Sequence, residues 1–140
     1  MSTLLFFLAA CSLHLGTVPT AGFALRELVA PVVEPGVDEA VRGAVGRALS
    51  ARRADGDTPL SIRIDRADWR PGRRVGDVVT YDATLSLRFQ TSGRERTVTM
   101  SSAYPDPGSA GAADAVRAAA FVELAERAAE EGVTWLVLGG

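Results

Sequence analysis

Two periodicities alternate along this chain. From Val37 the apolar residues fall at Val37, Val41, Ala44, Val45, Ala48 and Leu49, a spacing that gathers them on one stripe of a helix. Asp38 and Glu39 stand in its first turn and Arg47, Arg52 and Arg53 near its end, as the helix dipole favours. Asp38 and Arg42 are ordered for an i,i+4 pair. Gly43 and Gly46 interrupt the helix at about 1 kcal/mol each relative to alanine if exposed, which implies close packing there or simple tolerance.

After Arg52-Arg53-Ala54-Asp55-Gly56-Asp57-Thr58-Pro59 the period falls to two. Leu60, Ile62 and Ile64 alternate with Ser61, Arg63 and Asp65, the pattern of a strand with one buried face. The next alternation is longer. Val79, Tyr81, Ala83, Leu85, Leu87 and Phe89 point one way; Thr80, Asp82, Thr84, Ser86, Arg88 and Gln90 point the other. Thr91-Ser92-Gly93 supplies a hairpin turn. The returning strand, about Arg94 to Tyr104, sets Val98 and Met100 on one face and Thr97, Thr99 and Ser101 on the other.

The flanks complete the reading. Phe23 to Val33 is a first strand, ended by Pro35-Gly36 and weakened to an edge or broken by Pro31. Pro105-Asp106-Pro107-Gly108 stops the last long strand, and Ser109 or a neighbour caps a second helix over about Ala110 to Glu131. Val116, Ala120, Leu124 and Ala128 form its inner stripe with Phe121 on the shoulder, and Glu123 and Arg127 pair outside. Gly132 is expected to end it, leaving Val133 to Leu138 as a short terminal strand or docked tail. The predicted order is β-α-β-β-β-α. This is an α+β fold with two helices packed on one face of a mainly antiparallel sheet of about three to five strands. The other face is left polar or available to a partner. Residues 23–140 read as one domain without internal repeats.

The amino-terminal residues belong to a different grammar. Met1-Ser2-Thr3 leads into the seven apolar residues Leu4 to Ala10, and Cys11 follows. Seven helical residues span roughly 10 Å against about 30 Å of bilayer hydrocarbon, so the run is too short to cross. It suits the apolar region of an export signal, with small residues before the processing point. Leu8-Ala9-Ala10-Cys11 also has the form of a bacterial lipobox, in which a small residue precedes a cysteine that is lipidated and becomes the new amino terminus. Residues 1–10 are then a signal segment and 11–22 a tether. The competing reading is a buried amino-terminal strand or helix with an incidental cysteine.

Composition removes much chemistry. All fifteen basic residues are arginine, which excludes a Walker lysine, a Schiff-base lysine and a Ser-Lys dyad. One cysteine and one histidine exclude a disulfide framework and a Cys/His zinc cluster within the chain. A net charge of −2 supplies no general field for nucleic acid. His14 lies three residues past Cys11 and reads as a solvated tether residue rather than a catalytic imidazole. Asp55 with Asp57, and Asp65 with Asp68, are spaced as paired carboxylates, but flanking arginines favour solvated ion pairing. A non-catalytic role without cofactor or metal is expected.

One segment stands apart. Arg63, Arg66, Arg70, Arg73 and Arg74 surround Trp69 at the end of one strand and in the turn to the next. Guanidinium forks bind phosphate or carboxylate bidentately, and tryptophan favours a surface apolar on one side and wet on the other. The cluster suits an anionic head group or the acidic surface of a partner. Alternatively it is a solvated turn, its arginines paired with Asp65, Asp68 and Asp77 and Trp69 packed on the core edge.

With these residues in view the chain resembles the LPS-assembly lipoproteins of the LptE kind. The likeness lies in Leu8-Ala9-Ala10-Cys11, the β-α-β-β-β-α order, the long strand opening Thr80-Tyr81-Asp82-Ala83, and the strand leaving through Ser102-Ala103-Tyr104 before an alanine-rich helix. The resemblance covers roughly residues 23 to 131. It implies an outer-membrane lipoprotein, acylated at Cys11, that docks with a β-barrel translocon on the periplasmic side and takes part in lipopolysaccharide transport without catalysis. A small auxiliary lipoprotein of an ABC-type transport system is the alternative.

Overall fold

The computed structural model describes residues 22–31 and 34–139. The elements run β1 (Phe23–Val29), α1 (Val37–Ala51), β2 (Thr58–Val75), β3 (Val78–Thr91), β4 (Arg94–Pro105) and α2 (Ala110–Leu138). Four strands form one sheet in the order β1-β2-β3-β4. β1 lies parallel to β2, which requires the crossover that α1 provides, while β2, β3 and β4 form an antiparallel meander. This is the α+β arrangement expected from the periodicities. Cys11, His14 and the rest of residues 1–21 lie outside the described residues.

The core forms between the helices and one sheet face. Leu60, Ile62 and Ile64 of β2, Ala83, Leu85, Leu87 and Phe89 of β3 and Val98 of β4 are buried against the helices. From α1 come Val37, Val41, Ala44, Val45 and Leu49, the stripe set by the helical spacing. Each fully buried Val, Leu, Ile or Phe contributes about 1.5–3 kcal/mol of hydrophobic free energy, so this layer supplies most of the cohesion.

Four details depart from the sequence expectation. β1 ends at Val29, not Val33; residue 31, a proline, sits in a bend and residues 32–33 are outside the description. α1 carries no basic residue in its last turn: Arg52 caps it and Arg53 follows at φ 50°. Arg47 and Arg52 instead reach across to Glu126 and Glu130 of α2.

The third departure is that α2 runs through Gly132 to Leu138. A Cβ at Gly132 would overlap the ring of Phe89, so the glycine is kept for close approach and not for a stop. Ala120, Ala125, Ala128 and Ala129 line the same buried face, letting the helix lie near the sheet. The helix begins where Ser109 Oγ accepts a bond from the Ala112 amide at 3.3 Å and ends at Gly139 in the left-handed region.

The fourth departure concerns the arginine segment. β2 continues unbroken from Thr58 to Val75, and the turn falls at Gly76-Asp77 between the paired Val75 and Val78. Pro71 is tolerated because β1 stops opposite Arg63, leaving the distal half of β2 as a sheet edge where a missing amide donor is cheap. Bulges at Asp65 and at Gly72-Arg73 absorb the extra residues of β2 against β3.

Candidate docking surface

Because β2 is a strand here, the alternation divides the arginine segment between two faces. Arg63, Arg66 and Arg70 pair with Arg88, Ser86 and Asp82 of β3 and therefore share the polar face, away from the helices. The bulge at Asp65 is what allows residues 63 and 66 to point the same way. Trp69 pairs with Ala83 and lies on the helix-covered face. Arg73 and Arg74 sit beyond both groups, at the hairpin end. The six residues are brought onto one strand, but not onto one surface.

The polar face is a ladder of neutralised charge. Arg63 Nε lies 3.2 Å from Asp65, whose other oxygen lies 2.8 Å from Arg88. Arg66 pairs with Asp68, which also lies 3.4 Å from Arg70. Arg63, Arg66, Arg70 and Arg88 thus face Asp65, Asp68, Asp82 and Glu95 on one surface. Hydroxyl pairs continue it: Thr84 with Ser101 at 3.1 Å and Ser86 with Thr99 at 2.9 Å. Gln90 donates to Glu95 at 2.6 Å. Such cross-strand pairs contribute roughly 0.2–1 kcal/mol each and rigidify the face. The ion pairing with Asp65 and Asp68 matches the solvated-face alternative; Asp77 makes no ion pair among the described residues.

On the opposite face the core gives way to aromatics. Trp69 stacks on Tyr81 at 5.1 Å between ring centroids and 11° between planes, and Tyr104 leans on Trp69 at 6.0 Å. The Tyr104 hydroxyl donates to Glu123 of α2 at 3.1 Å. Burial, together with the Glu123 carboxylate, raises the Tyr104 pKa above the usual phenol value, although a Ser102 hydrogen bond opposes the shift. Trp69 therefore packs on the core edge, and this trio closes the core at its distal end.

Beyond the trio the hairpin runs free. β4 last pairs at Thr80 and β1 at Arg63, so Val75 and Val78 have only each other. They are 71% and 52% exposed, which makes them the most solvent-facing valines of the sheet. The alternating pattern did not point to them; the available signal was the Gly-Asp pair between two valines, a hairpin signature. Among the described residues no group of three or more His, Cys, Asp or Glu side chains converges as a metal site would.

No protein-family model matches the chain, and no curated protein matches it in sequence. Solved structures match it in fold. A minor lipoprotein from Acinetobacter baumannii superposes with a TM-score of 0.58 at 15% identity, over 82% of this chain and 90% of that one. A Caulobacter crescentus protein described as a lipoprotein gives 0.57 at 17% identity, over 81% and 88%. A Xanthomonas campestris protein of domain family DUF330 gives 0.52 at 17% identity, over 84% of each chain. The chain shares its fold with bacterial proteins that include lipoproteins.

Proposed function

We propose that this chain is a lipid-anchored, non-catalytic docking subunit of the bacterial cell envelope, acylated at Cys11 and held on the periplasmic side of the outer membrane. The observation that carries the reading is a conjunction. A lipobox-like Leu8-Ala9-Ala10-Cys11 leads into a fold shared with solved lipoproteins. No helix of the described residues is long and apolar enough to cross a membrane. Multiple acyl chains, each buried methylene contributing about 0.8 kcal/mol of membrane affinity, would make the lipid attachment stable.

Docking is favoured by the form of the sheet. One face is committed to the core, while the other is a firm, polar, charge-balanced surface, and the hairpin projects from its end. A β-barrel translocon of lipopolysaccharide transport is the partner this reading names, following the resemblance of the lipobox and element order to LPS-assembly lipoproteins. The test is purification of the tagged, full-length protein from native membranes. Recovery of a large β-barrel with it supports the reading; recovery of an inner-membrane ATPase complex instead replaces it with a transport-accessory role.

A further inference from the structure

The sheet leaves backbone edges open on β1, on the distal half of β2 and on β4, and the first two are guarded. β1 is seven residues long, exposes Arg26 and Glu27, and is followed by Pro31 in a bend. The distal half of β2 carries Pro71, two bulges and the exposed Arg66, Arg70 and Arg74. Short length, charge, proline and bulges are the devices that keep a strand edge from pairing with another chain. β4 lacks them over most of its length. Its outer edge is unpaired among the described residues, and its register with β3 runs without a bulge from Arg94 to Pro105. Thr97 to Tyr104 holds no charge, glycine or proline.

The ladder fixes which groups that edge offers. The Asp106 amide donates to the Val79 carbonyl at 2.8 Å, and those two residues continue the register in which Thr80 faces Pro105. Hydrogen-bonded pairs alternate along an antiparallel ladder, so the even-numbered residues from Arg94 to Tyr104 turn their amides and carbonyls to β3. Thr97, Thr99, Ser101 and Ala103 turn theirs outward. Pro105 is next on the outward side, where its missing donor costs the β3–β4 ladder nothing.

We infer that β4 pairs with β4 of a second copy of this chain, antiparallel about a two-fold axis at Met100, so that two four-stranded sheets become one. That register sets Thr99 opposite Ser101 of the second copy and Thr97 opposite Ala103, and each of these residues donates and accepts one backbone bond. On the polar face it prolongs contacts already present. Ser86 with Thr99 at 2.9 Å and Thr84 with Ser101 at 3.1 Å become continuous rows of hydroxyls across the axis. On the helix face the two Met100 side chains meet, each half-buried at the foot of a groove lined by Arg127, Glu130 and Thr134. At the ends Arg94 comes opposite Asp106, and neither makes an ion pair among the described residues. Parallel pairing would set Arg94 against Arg94. A foreign strand would have to match both the hydroxyl spacing and the charged ends, whereas a second copy matches them by symmetry. The pairing is independent of the anchor at Cys11 and of the envelope partner.

The experiment uses the full-length chain at native expression level in native membranes, with a photo-crosslinking residue in place of Met100. The expected product is an adduct of twice the chain's mass whose peptides all derive from this chain. Thr99→Lys with Ser101→Lys, and separately Thr99→Glu with Ser101→Glu, set like charges across the axis on an exposed face. Each pair of changes should lower the adduct by about tenfold or more. Co-expressing the double-lysine and double-glutamate chains under different tags should restore it as a mixed adduct, which misfolded chains would not form. An adduct with a different polypeptide or with lipid overturns the inference. So does the absence of any adduct from position 100, or a doubled adduct that like charges do not weaken and opposite charges do not restore.

Discussion

Gly132 of α2 lies against the ring of Phe89 in β3, so closely that the helix backbone itself forms the wall of the pocket around that ring. Phe89 is fully buried, and its neighbours belong to a layer with no slack to receive another carbon. Gly132→Ala, ordinarily a helix-stabilising change, should therefore destabilise by about 1–3 kcal/mol through overpacking. Denaturant unfolding measures it. Phe89→Leu in the same background should recover part of the loss.

Gly46 makes the opposite case in the other helix. It is exposed in α1, and a Cβ there meets nothing within 4 Å. Gly46→Ala should stabilise the fold by about 0.5–1 kcal/mol, read as a higher unfolding midpoint with an unchanged denaturant slope. The two glycines look alike in sequence and differ only in what faces them.

Asp65 holds two arginines that the register sets directly opposite one another, Arg63 and Arg88. Asp65→Asn leaves those like charges facing across the ladder. The expected loss is modest, about 1 kcal/mol or less, because both guanidinium groups remain partly in water. It should shrink as salt rises from low ionic strength to about 1 M, where the Debye length falls to about 3 Å. A loss independent of salt would mean that the bulge backbone, and not charge, is what Asp65 supports.

Tyr104 couples stability to alkaline pH. Its pKa is raised, chiefly by burial, so the folded chain holds the phenolic proton more tightly than the unfolded chain does. The resulting stabilisation is complete below the ordinary phenol pKa of 10.0 and is lost as pH climbs through the raised folded value. Since the chain has two tyrosines, Tyr81→Phe isolates Tyr104 for ultraviolet titration of the phenolate. Its ionisation should move to lower pH when the protein is unfolded.

The fold was legible wherever one face of an element meets water. The α1 stripe and the long alternation of β3 announce themselves because half their residues stay polar. The sequence misleads at Gly132 and at Pro71-Gly72 for a shared reason. Helix and strand breakers mark an end only when nothing in the tertiary structure needs them, and here Phe89 needs the one while an open sheet edge tolerates the other. The candidate site suffered most from this. A turn would have gathered Arg63, Arg66, Trp69, Arg70, Arg73 and Arg74 into one patch, whereas a strand sends Trp69 to the core side and balances three of the arginines with carboxylates.

Arg73 and Arg74 stand clear of that balance and Arg70 shares Asp68 with Arg66, so removal of all three separates docking from folding. Arg70→Gln, Arg73→Gln and Arg74→Gln together should leave the unfolding midpoint nearly unchanged, since exposed charges contribute about 0–1 kcal/mol. Recovery of the envelope partner in pull-downs from membranes should fall with the same triple change. An equal loss of stability would mark these arginines as structural.

The anchor is the premise on which orientation, docking and partner all depend, and the intact mass of the chain recovered from the membrane fraction addresses it directly. The account predicts a polypeptide beginning at Cys11 and carrying diacylglyceryl and amide-linked acyl mass, with all preceding residues removed. A chain still beginning at Met1, recovered in soluble extract with its one thiol free, would contradict it.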